Sequence, residues 1–348
     1  MSDIKVQIKD LYKIFGSNPK KMVDVVKGGV GKTELLEKHG HVLGLKDINI
    51  DIPARGVQVI MGLSGSGKST LIRHINRLIE PSAGEVIIDG EDVLAMNQDQ
   101  LRNFRRKKAS MVFQKFALLP HKIVADNAAY GLTIQNVPEA EAKERAQKWI
   151  DRVGLTGFEQ HYPAQLSGGM QQRVGLARAL ATDAEILLMD EAFSALDPLI
   201  RTDMQNVMLD LQEELHKTII FITHDLDEAL RIGDNIAILR DGAMVQQGSP
   251  QEIVLNPADD YVSDFIKDIN RGRVLEAGSV MTSKKAAKGP KVDIHMAIEE
   301  VLQVLSEGKT HTAIVTENDK AVGSITMEEI IAAIARPNEG NKGEGQYR

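Results

Sequence analysis

The sequence predicts an α/β protein built on a largely parallel, buried sheet, with a helical insertion and a small second α/β domain. Short apolar runs, typical of buried strands, alternate with helical patterns. These runs are Val57–Met61, Ile186–Met189, Thr218–Ile222 and Ile236–Leu239. Between about residues 115 and 165 the pattern becomes helical, with a charged amphipathic helix predicted over Glu139–Val153.

A change of composition precedes the second domain. Residues 276–291 are rich in Gly, Ser, Ala and Lys, which is typical of a linker. Beyond them, apolar residues recur at helical spacing from Ile294 to Leu305, two short strands flank a turn at Asn318-Asp319, and a last helix contains Ile330. We therefore predict a main domain over 1–270 with a helical subdomain at about 115–170, a linker over 271–291, a small module over 292–336 and a disordered tail over 337–348.

Composition limits the classes of function. The 348 residues are 43% hydrophobic and 26% charged, as expected for a folded soluble protein. The formal net charge of -7 argues mildly against a dedicated nucleic-acid binder. No cysteine is present, which excludes disulfides, thiol catalysis and iron–sulfur clusters. No secretory signal is visible at the start, and no apolar run approaches the ~20 residues that span a bilayer.

A complete phosphate-binding motif follows the first of these strands. Gly62-Leu-Ser-Gly-Ser-Gly-Lys-Ser69 fits G-x-x-x-x-G-K-[ST], between an apolar strand and a helical stretch. Glycines let successive backbone N–H groups face a phosphate, and the helix N-terminus adds partial positive charge. Lys68 would neutralise the β- and γ-phosphates and act in catalysis, and Ser69 would bind Mg²⁺. The residues predicted to bind nucleotide here are Gly62, Ser64, Gly65, Ser66, Gly67, Lys68, Ser69 and Thr70.

A partial copy of this motif lies upstream. Gly31-Lys32-Thr33 repeats its end, but Val26 occupies the position of the first glycine and no apolar strand leads into it. We interpret this segment as an ordinary charged loop that leads into a helix.

Two carboxylates end the predicted strand at Ile186. An acidic residue at the carboxyl end of a strand, in the crevice of an α/β sheet, is placed to meet a bound nucleotide. We expect Asp190 to hold Mg²⁺, directly or through water, and Glu191 to act as general base on the attacking water.

Five further segments occur in the order of the ABC ATPase family, and the chain resembles that family over about residues 4–270. Leu166-Ser-Gly-Gly-Met-Gln171 is similar to the family signature, with Ser167, Gly168 and Gly169 just before a helical run. The other similarities are Gln114 to the Q-loop glutamine, Asp197 to the last residue of the D-loop, His224 to the switch histidine and Phe15 to the A-loop aromatic that stacks on adenine.

This resemblance implies a P-loop NTPase fold of the ABC nucleotide-binding type, with ATP and Mg²⁺ as cofactors. Two subunits would sandwich two ATP molecules head to tail, so that Ser167, Gly168 and Gly169 of one subunit close over the γ-phosphate held by the other. It also implies that Gln114 acts in catalysis and at the metal, and that His224 contacts the γ-phosphate.

The chain resembles importers more than other branches of the family. Phe116-Ala-Leu-Leu-Pro-His121 is similar to the segment on which a membrane permease docks, although Ile123 stands where importers commonly have Thr. The segment between Gly16 and Gly44, the phosphate loop and the block Met189–Arg201 resemble the ATPases of quaternary-amine importers, which take up glycine betaine, proline betaine or choline. A separate substrate-binding protein would then choose the amine, and this chain would lie at the cytoplasmic face of the inner membrane.

The C-terminal module resembles a CBS motif, which these importers use for regulation. Family members often carry a tandem pair, and one module is counted here, so it would pair with its copy in the partner subunit. The position at which such modules often place an Asp on ribose is Glu329, which puts binding of an adenosine ligand in doubt.

Two alternatives stay open. A soluble ABC ATPase could act on nucleic acid or on a protein complex, with the basic cluster Arg102, Arg105, Arg106, Lys107 and Lys108 as the contact. We favour a solvated helix face for that cluster, because aromatic residues that could stack on bases are not interleaved beyond Phe104. A chain that chiefly senses a ligand would need an intact motif near Thr326, which is not evident.

Overall fold

The computed structural model describes residues 3–114, 116–194, 196–283 and 288–335. Lys284 and Lys285 of the predicted linker, and the predicted tail over 337–348, lie outside these residues. Contacts divide the chain into two compact units, Met1–Ser249 and Pro250–Arg348. Within the described ranges, no helix combines the length and the apolar character that crossing a membrane requires.

The first unit contains two sheets. Its strands are β1 (Ile4–Phe15), β2 (Val42–Pro53), β3 (Val57–Met61), β4 (Ala83–Ile88), β5 (Glu91–Asp92), β6 (Ala109–Val112), β7 (Ile186–Asp190), β8 (Thr218–Thr223), β9 (Asn235–Arg240) and β10 (Ala243–Gly248).

Nine α-helices of the first unit, among the described residues, lie between these strands in the chain. They are α1 (Met22–Lys27), α2 (Lys32–His39), α3 (Lys68–Ile75), α4 (Gln98–Lys107), α5 (Val124–Ile134), α6 (Glu139–Arg152), α7 (Gly168–Ala181), α8 (Pro198–Leu215) and α9 (Leu226–Ile232).

The larger sheet has the strand order β10-β9-β3-β8-β7-β6. All its neighbouring strands are parallel except β10, which runs antiparallel to β9. Every residue of β3, β7 and β8 is buried, as expected when helices cover both faces of a parallel sheet. The predicted buried parallel sheet is therefore confirmed.

A second, antiparallel sheet has the order β2-β1-β4-β5 and is not anticipated by the sequence analysis. Its inward residues Ile8, Leu45 and Val86 share one core with Ile60 and Ile220 of the larger sheet. The core therefore fixes the β1–β2 hairpin against the strand that leads into the phosphate loop.

The predicted helical insertion consists of α5, α6 and the start of α7. Helix α6 ends at Arg152, one residue before the predicted end. Its apolar face buries Ala142, Ala146 and Trp149.

The second unit contains α10 (Pro250–Leu255), α11 (Asp260–Phe265), α12 (Arg271–Val274), α13 (Ala277–Val280), β11 (Lys291–Asp293), α14 (Ile298–Glu307), β12 (Thr312–Glu317), β13 (Lys320–Thr326) and α15 (Met327–Ile334). The strands form one sheet in the order β11-β12-β13, parallel and then antiparallel. Two short helices, α12 and α13, lie within the predicted linker, and each buries one residue, Gly272 and Ala277.

The small module has its own core. Ile298, Val301 and Leu305 are fully buried along one face of α14, at the spacing that the sequence predicts. A capping box begins α15: the Thr326 hydroxyl accepts the N–H of Glu329, and the Glu329 carboxylate accepts the N–H of Thr326 at 2.8 Å. The Glu329 carboxylate therefore takes part in the cap that begins its own helix, α15.

Candidate nucleotide site

The phosphate loop, residues 62–69, connects β3 to α3 with a backbone that only glycine adopts easily. Gly62 and Gly67 have φ of 147° and 105°. A Cβ at Gly67 would lie 2.7 Å from the Gly44 carbonyl oxygen, and one at Gly62 would overlap the Leu239 carbonyl. The motif therefore forms the tight curve that the sequence predicts, pressed against β2 and β9.

Lys68 lies at the inner side of this curve. Its ammonium donates to the carbonyls of Gly62 at 2.8 Å and Leu63 at 3.1 Å. Burial lowers the pKa of Lys68, while the negative charges of Glu191 and Asp190 act in the opposite direction. The side chain is thus a positive charge held within the loop, beside the carboxyl end of β7.

Other predicted residues of the loop differ in exposure. The Ser66 hydroxyl is buried and has no hydrogen-bond partner among the described residues. Ser64 and Gly65 are exposed. The Thr70 carbonyl accepts from the Nδ1 of His74, a fully buried ring one turn further along α3.

Asp190 and Ser69, both predicted as ligands of Mg²⁺, are in direct contact. The Ser69 hydroxyl donates to the Asp190 carboxylate at 2.7 Å, and the Arg73 guanidinium lies 3.1 Å from its other oxygen. Asp190 is fully buried. A buried carboxylate is stable only when it is paired, and these two partners of α3 tie the end of β7 to the phosphate loop.

Gln114, Glu191 and His224 converge from three different segments. The Gln114 amide donates to the Glu191 carboxylate at 2.8 Å, and the Nδ1 of His224 lies 3.7 Å from the same oxygen. Glu191 has a φ of 47°, a left-handed conformation uncommon for residues other than glycine. The three residues predicted to act in catalysis around the water are therefore neighbours.

The oxygen-bearing side chains predicted as metal ligands are of the kind that suits Mg²⁺. The predicted ligands Ser69, Asp190 and Gln114 offer a hydroxyl, a carboxylate and an amide oxygen, which are hard ligands. This set of a hydroxyl, a carboxylate and an amide suits Mg²⁺, which proteins commonly hold with one or two carboxylates plus the phosphates of the substrate. In the described part of the chain, no cluster of three or more His, Cys, Asp or Glu side chains could hold a metal by itself.

Phe15 lies at the end of β1, beside the phosphate loop. Its ring is 40% exposed, and the Lys13 ammonium lies 4.9 Å from the ring centroid. A Cβ at Gly44 would lie 2.7 Å from the ring, and the Gly44 carbonyl in turn closes on Gly67. The exposed aromatic face and the loop are therefore separated by a single glycine of β2.

The signature and D-loop residues cap helices. The Ser167 hydroxyl accepts the Met170 N–H at 3.3 Å, and the Asp197 carboxylate accepts the Ile200 N–H at 3.1 Å. Gly168 and Gly169 form the first turn of α7. Among the described residues of this one chain, no hydrogen bond joins these segments to the phosphate loop.

A polar network supports the segment that carries His224. The neighbouring Asp225 caps α9, and the Arg201 guanidinium reaches both the Asp225 carboxylate at 3.3 Å and the Leu196 carbonyl at 3.4 Å. The start of α8 and the loop after β8 are therefore held together.

Two contacts at the site are absent from the sequence analysis. Arg73 lies four residues after Ser69, a spacing that places both on one face of α3 and that could have indicated the pairing with Asp190. Lys32 of the partial motif begins α2, and its ammonium donates to the Gly65 carbonyl at 3.2 Å. Nothing in its local sequence indicates this long-range contact.

The cluster of basic residues before β6 makes contacts within the protein. Arg105 donates to the Asn76 carbonyl, Lys108 to Asp89, and Arg102 to Asp99. No observation favours the alternative that it binds nucleic acid.

Comparison with known proteins gives consistent matches. The model of the ABC transporter family matches residues 45–194. The chain is 49% identical over 337 residues to the glycine betaine transport ATP-binding protein OpuAA of Bacillus subtilis (strain 168), covering 94% of this chain and 81% of that protein. It is 45% identical over 340 residues to the glycine betaine/proline betaine transport system ATP-binding protein ProV of Escherichia coli (strain K12), covering 96% and 83%.

Solved structures agree with these relatives. The dimeric structure of a post-hydrolysis state of the ATP-binding cassette MJ0796, bound to ADP and Pi, superposes with a TM-score of 0.62 at 32% identity, covering 70% of this chain and 98% of that one. The identity to OpuAA and to ProV extends over nearly the whole chain. The predicted family is therefore confirmed: the chain belongs to the ATP-binding proteins of ABC transporters.

Proposed function

We propose that this chain hydrolyses ATP to drive the import of a quaternary amine through a partner membrane permease. The observation that supports it most is the convergence of Gln114, Glu191 and His224 next to the phosphate loop and Asp190. Relatives named for transport of glycine betaine and proline betaine support the substrate class.

The side chains divide the chemistry of ATP hydrolysis among them. Lys68 neutralises the β- and γ-phosphates, and Glu191 accepts a proton from the water whose oxygen attacks the γ-phosphorus. The bond between the γ-phosphorus and the oxygen that joins it to the β-phosphate breaks, and the electron pair of that bond leaves with ADP. Gln114 and His224 hold Glu191 and the γ-phosphate in place. Ser69, Asp190 and Gln114 would hold Mg²⁺, which would supply positive charge at the phosphates when bound.

The second half of each site comes from a second copy of the chain. Ser167 begins α7 with Gly168 and Gly169 in its first turn, a helix N-terminus suited to an anion. We propose that it closes over the γ-phosphate held by the partner, with Asp197 at the same interface, so that two chains enclose two ATP molecules. The dimeric form of the MJ0796 cassette supports this arrangement.

A groove of about 490 Å³ beside β6 suits the permease. Aromatic and basic residues line it, among them Phe113, Tyr130, Arg102 and Arg105. The predicted docking segment adjoins this groove through Ala117, and Arg178 holds it by donating to the Phe116 carbonyl. We propose that a cytoplasmic helix of the permease lies here, which places the chain at the cytoplasmic face of the membrane as a peripheral subunit.

Two further roles complete the proposal. A separate substrate-binding protein delivers the amine to the permease and does not contact this chain. The C-terminal module over 292–336 acts as a single CBS-like regulatory unit and pairs with its copy in the partner subunit.

The test combines hydrolysis with transport. Glu191→Gln should lower steady-state phosphate release by about 10²- to 10⁴-fold and leave ATP binding intact, because only the proton acceptor is lost. Glu144→Gln, the same change at an exposed position of α6, is the matched control and should hydrolyse normally.

With the permease and binding protein in proteoliposomes, the wild type should accumulate labelled glycine betaine, proline betaine or choline, and Glu191→Gln should not. A Glu191→Gln protein that hydrolyses ATP like the control contradicts the assigned role. Coupled hydrolysis without uptake of any quaternary amine contradicts the substrate class.

A further inference from the structure

The segment between β1 and β2 has no role in the proposed mechanism. It carries α1 and α2, and it packs on the β1–β2 hairpin through a small core of its own. Val26 and Leu35 of this segment are fully buried against Ile14 and Leu43 of the strands. The segment is therefore a fixed part of the first unit, and its first α2 residue has a defined position.

That first residue is Lys32, which reaches the phosphate loop. Its ammonium donates to the Gly65 carbonyl at 3.2 Å and lies 3.8 Å from the Asp241 carboxylate. The N–H of Ser66, in the same peptide unit as that carbonyl, donates to the Leu63 carbonyl at 3.2 Å. Both ends of this peptide unit are therefore held, one by the loop itself and one by Lys32.

The charges around Lys32 leave it partly uncompensated. Asp241 is 69% exposed, 3.8 Å from Lys32 and also 3.9 Å from the Arg240 guanidinium, so it offsets Lys32 weakly. Glu34, two residues further along α2, pairs with Lys38 at 2.7 Å. The phosphate loop therefore has Lys68 on its inner side and Lys32 on its outer side.

We propose that Lys32 is a second lysine of the nucleotide site. It positions the phosphate loop by holding the Gly65 carbonyl, and its charge favours nucleotides with more phosphate groups. This inference rests on the proposed assignment of residues 62–69 to phosphate binding. It gives a function to the partial motif that the sequence analysis interprets as an ordinary charged loop.

The test measures nucleotide affinity in four variants of the full chain. Lys32→Gln removes the charge, Lys32→Arg keeps it, Lys20→Gln removes an exposed charge from the same segment between β1 and β2, and Lys68→Ala removes the inner lysine. Binding of a fluorescent ATP and a fluorescent ADP is titrated for each, and melting temperatures are recorded without nucleotide.

Lys32→Gln should weaken ATP binding about three- to fivefold, the scale of a part-exposed charge interaction, and ADP binding less. Lys32→Arg should restore most of the ATP affinity, and Lys20→Gln should bind both nucleotides like the wild type. The melting temperature of Lys32→Gln without nucleotide should equal that of Lys20→Gln.

The outcomes separate this inference from the proposed function. If Lys68→Ala loses ATP binding while Lys32→Gln binds ATP and ADP like the wild type, the role of Lys32 is wrong and the site assignment stands. Equal loss of ATP and ADP affinity with a lowered melting temperature also overturns it, because that is the result of a merely structural contact. If Lys68→Ala binds ATP normally, the phosphate loop itself is misassigned and the inference falls with it.

Discussion

We predict that His74 makes the first unit less stable in mild acid. Its ring is fully buried on α3, directly behind the phosphate loop. The Nδ1–H donates to the Thr70 carbonyl at 2.7 Å, and Nε2 has no hydrogen-bond partner among the described residues. Protonation would therefore place a charged N–H in a buried site without an acceptor among the described residues. Burial lowers the pKa of His74 from 6.5 to about 4, with the charge of Lys13 adding to the effect and that of Glu80 opposing it.

The sign of the effect follows from proton binding in the two states. Between pH 6.5 and about 4, the unfolded chain binds a proton at this histidine and the folded chain does not, so stability is lost as the pH falls. A pKa difference of this size lowers the free energy of unfolding by about 2 kcal/mol between pH 7 and pH 5.

The assay is urea unfolding followed by the fluorescence of Trp149, the single tryptophan, which is buried on α6 of the same unit. His74→Gln keeps a side-chain donor and cannot titrate, so its stability should fall by about 2 kcal/mol less than that of the wild type over this range. His216→Gln, at an exposed position, is the control and should behave like the wild type. Equal pH dependence of the wild type and His74→Gln would refute the reasoning.

Three further predictions concern the loop, the dimer and the C-terminal module. Gly67→Ala should cost about 2 kcal/mol of unfolding free energy in the same urea assay, because the new Cβ would lie 2.7 Å from the Gly44 carbonyl; a cost below about 0.5 kcal/mol would contradict the packing described. Ser167→Arg should lower phosphate release by about 10²-fold or more while the monomer still binds ATP in a fluorescence titration, and normal turnover would exclude closure of α7 over the partner's nucleotide. Thr326→Ala should destabilise the module by about 1 kcal/mol through loss of the capping box with Glu329, as measured by local hydrogen exchange of α15. Unchanged exchange would show that the capping box does not stabilise this helix.

The parallel sheet and the phosphate loop could be predicted because local sequence determines them. Strands such as β7 and β8 are buried on both faces, so they are continuous apolar runs that need no knowledge of their partners. The antiparallel sheet could not be predicted in the same way. Its strand β1 has a residue with positive φ at Asp10 and a shift of register on either side of Leu11, and both interrupt the period of two.

Within the site, motifs located most residues but not their contacts. Family order indicated Gln114, Glu191 and His224, and the structure shows that they meet. The contact of Lys32 with Gly65 depends on the small core that positions α2 on the β1–β2 hairpin. That position cannot be predicted from the residues next to Lys32. The structural role of Glu329 in starting α15 is likewise visible only when its carboxylate is seen to accept the Thr326 N–H.

The position of Gln114 beside the groove has a mechanical consequence. Phe113 belongs to the groove wall, and the very next side chain donates to the Glu191 carboxylate at 2.8 Å. A displacement of the wall by about half an ångström would already stretch that hydrogen bond beyond its preferred range. A molecule that displaced the wall would therefore change the rate of ATP hydrolysis through the position of the Glu191 carboxylate.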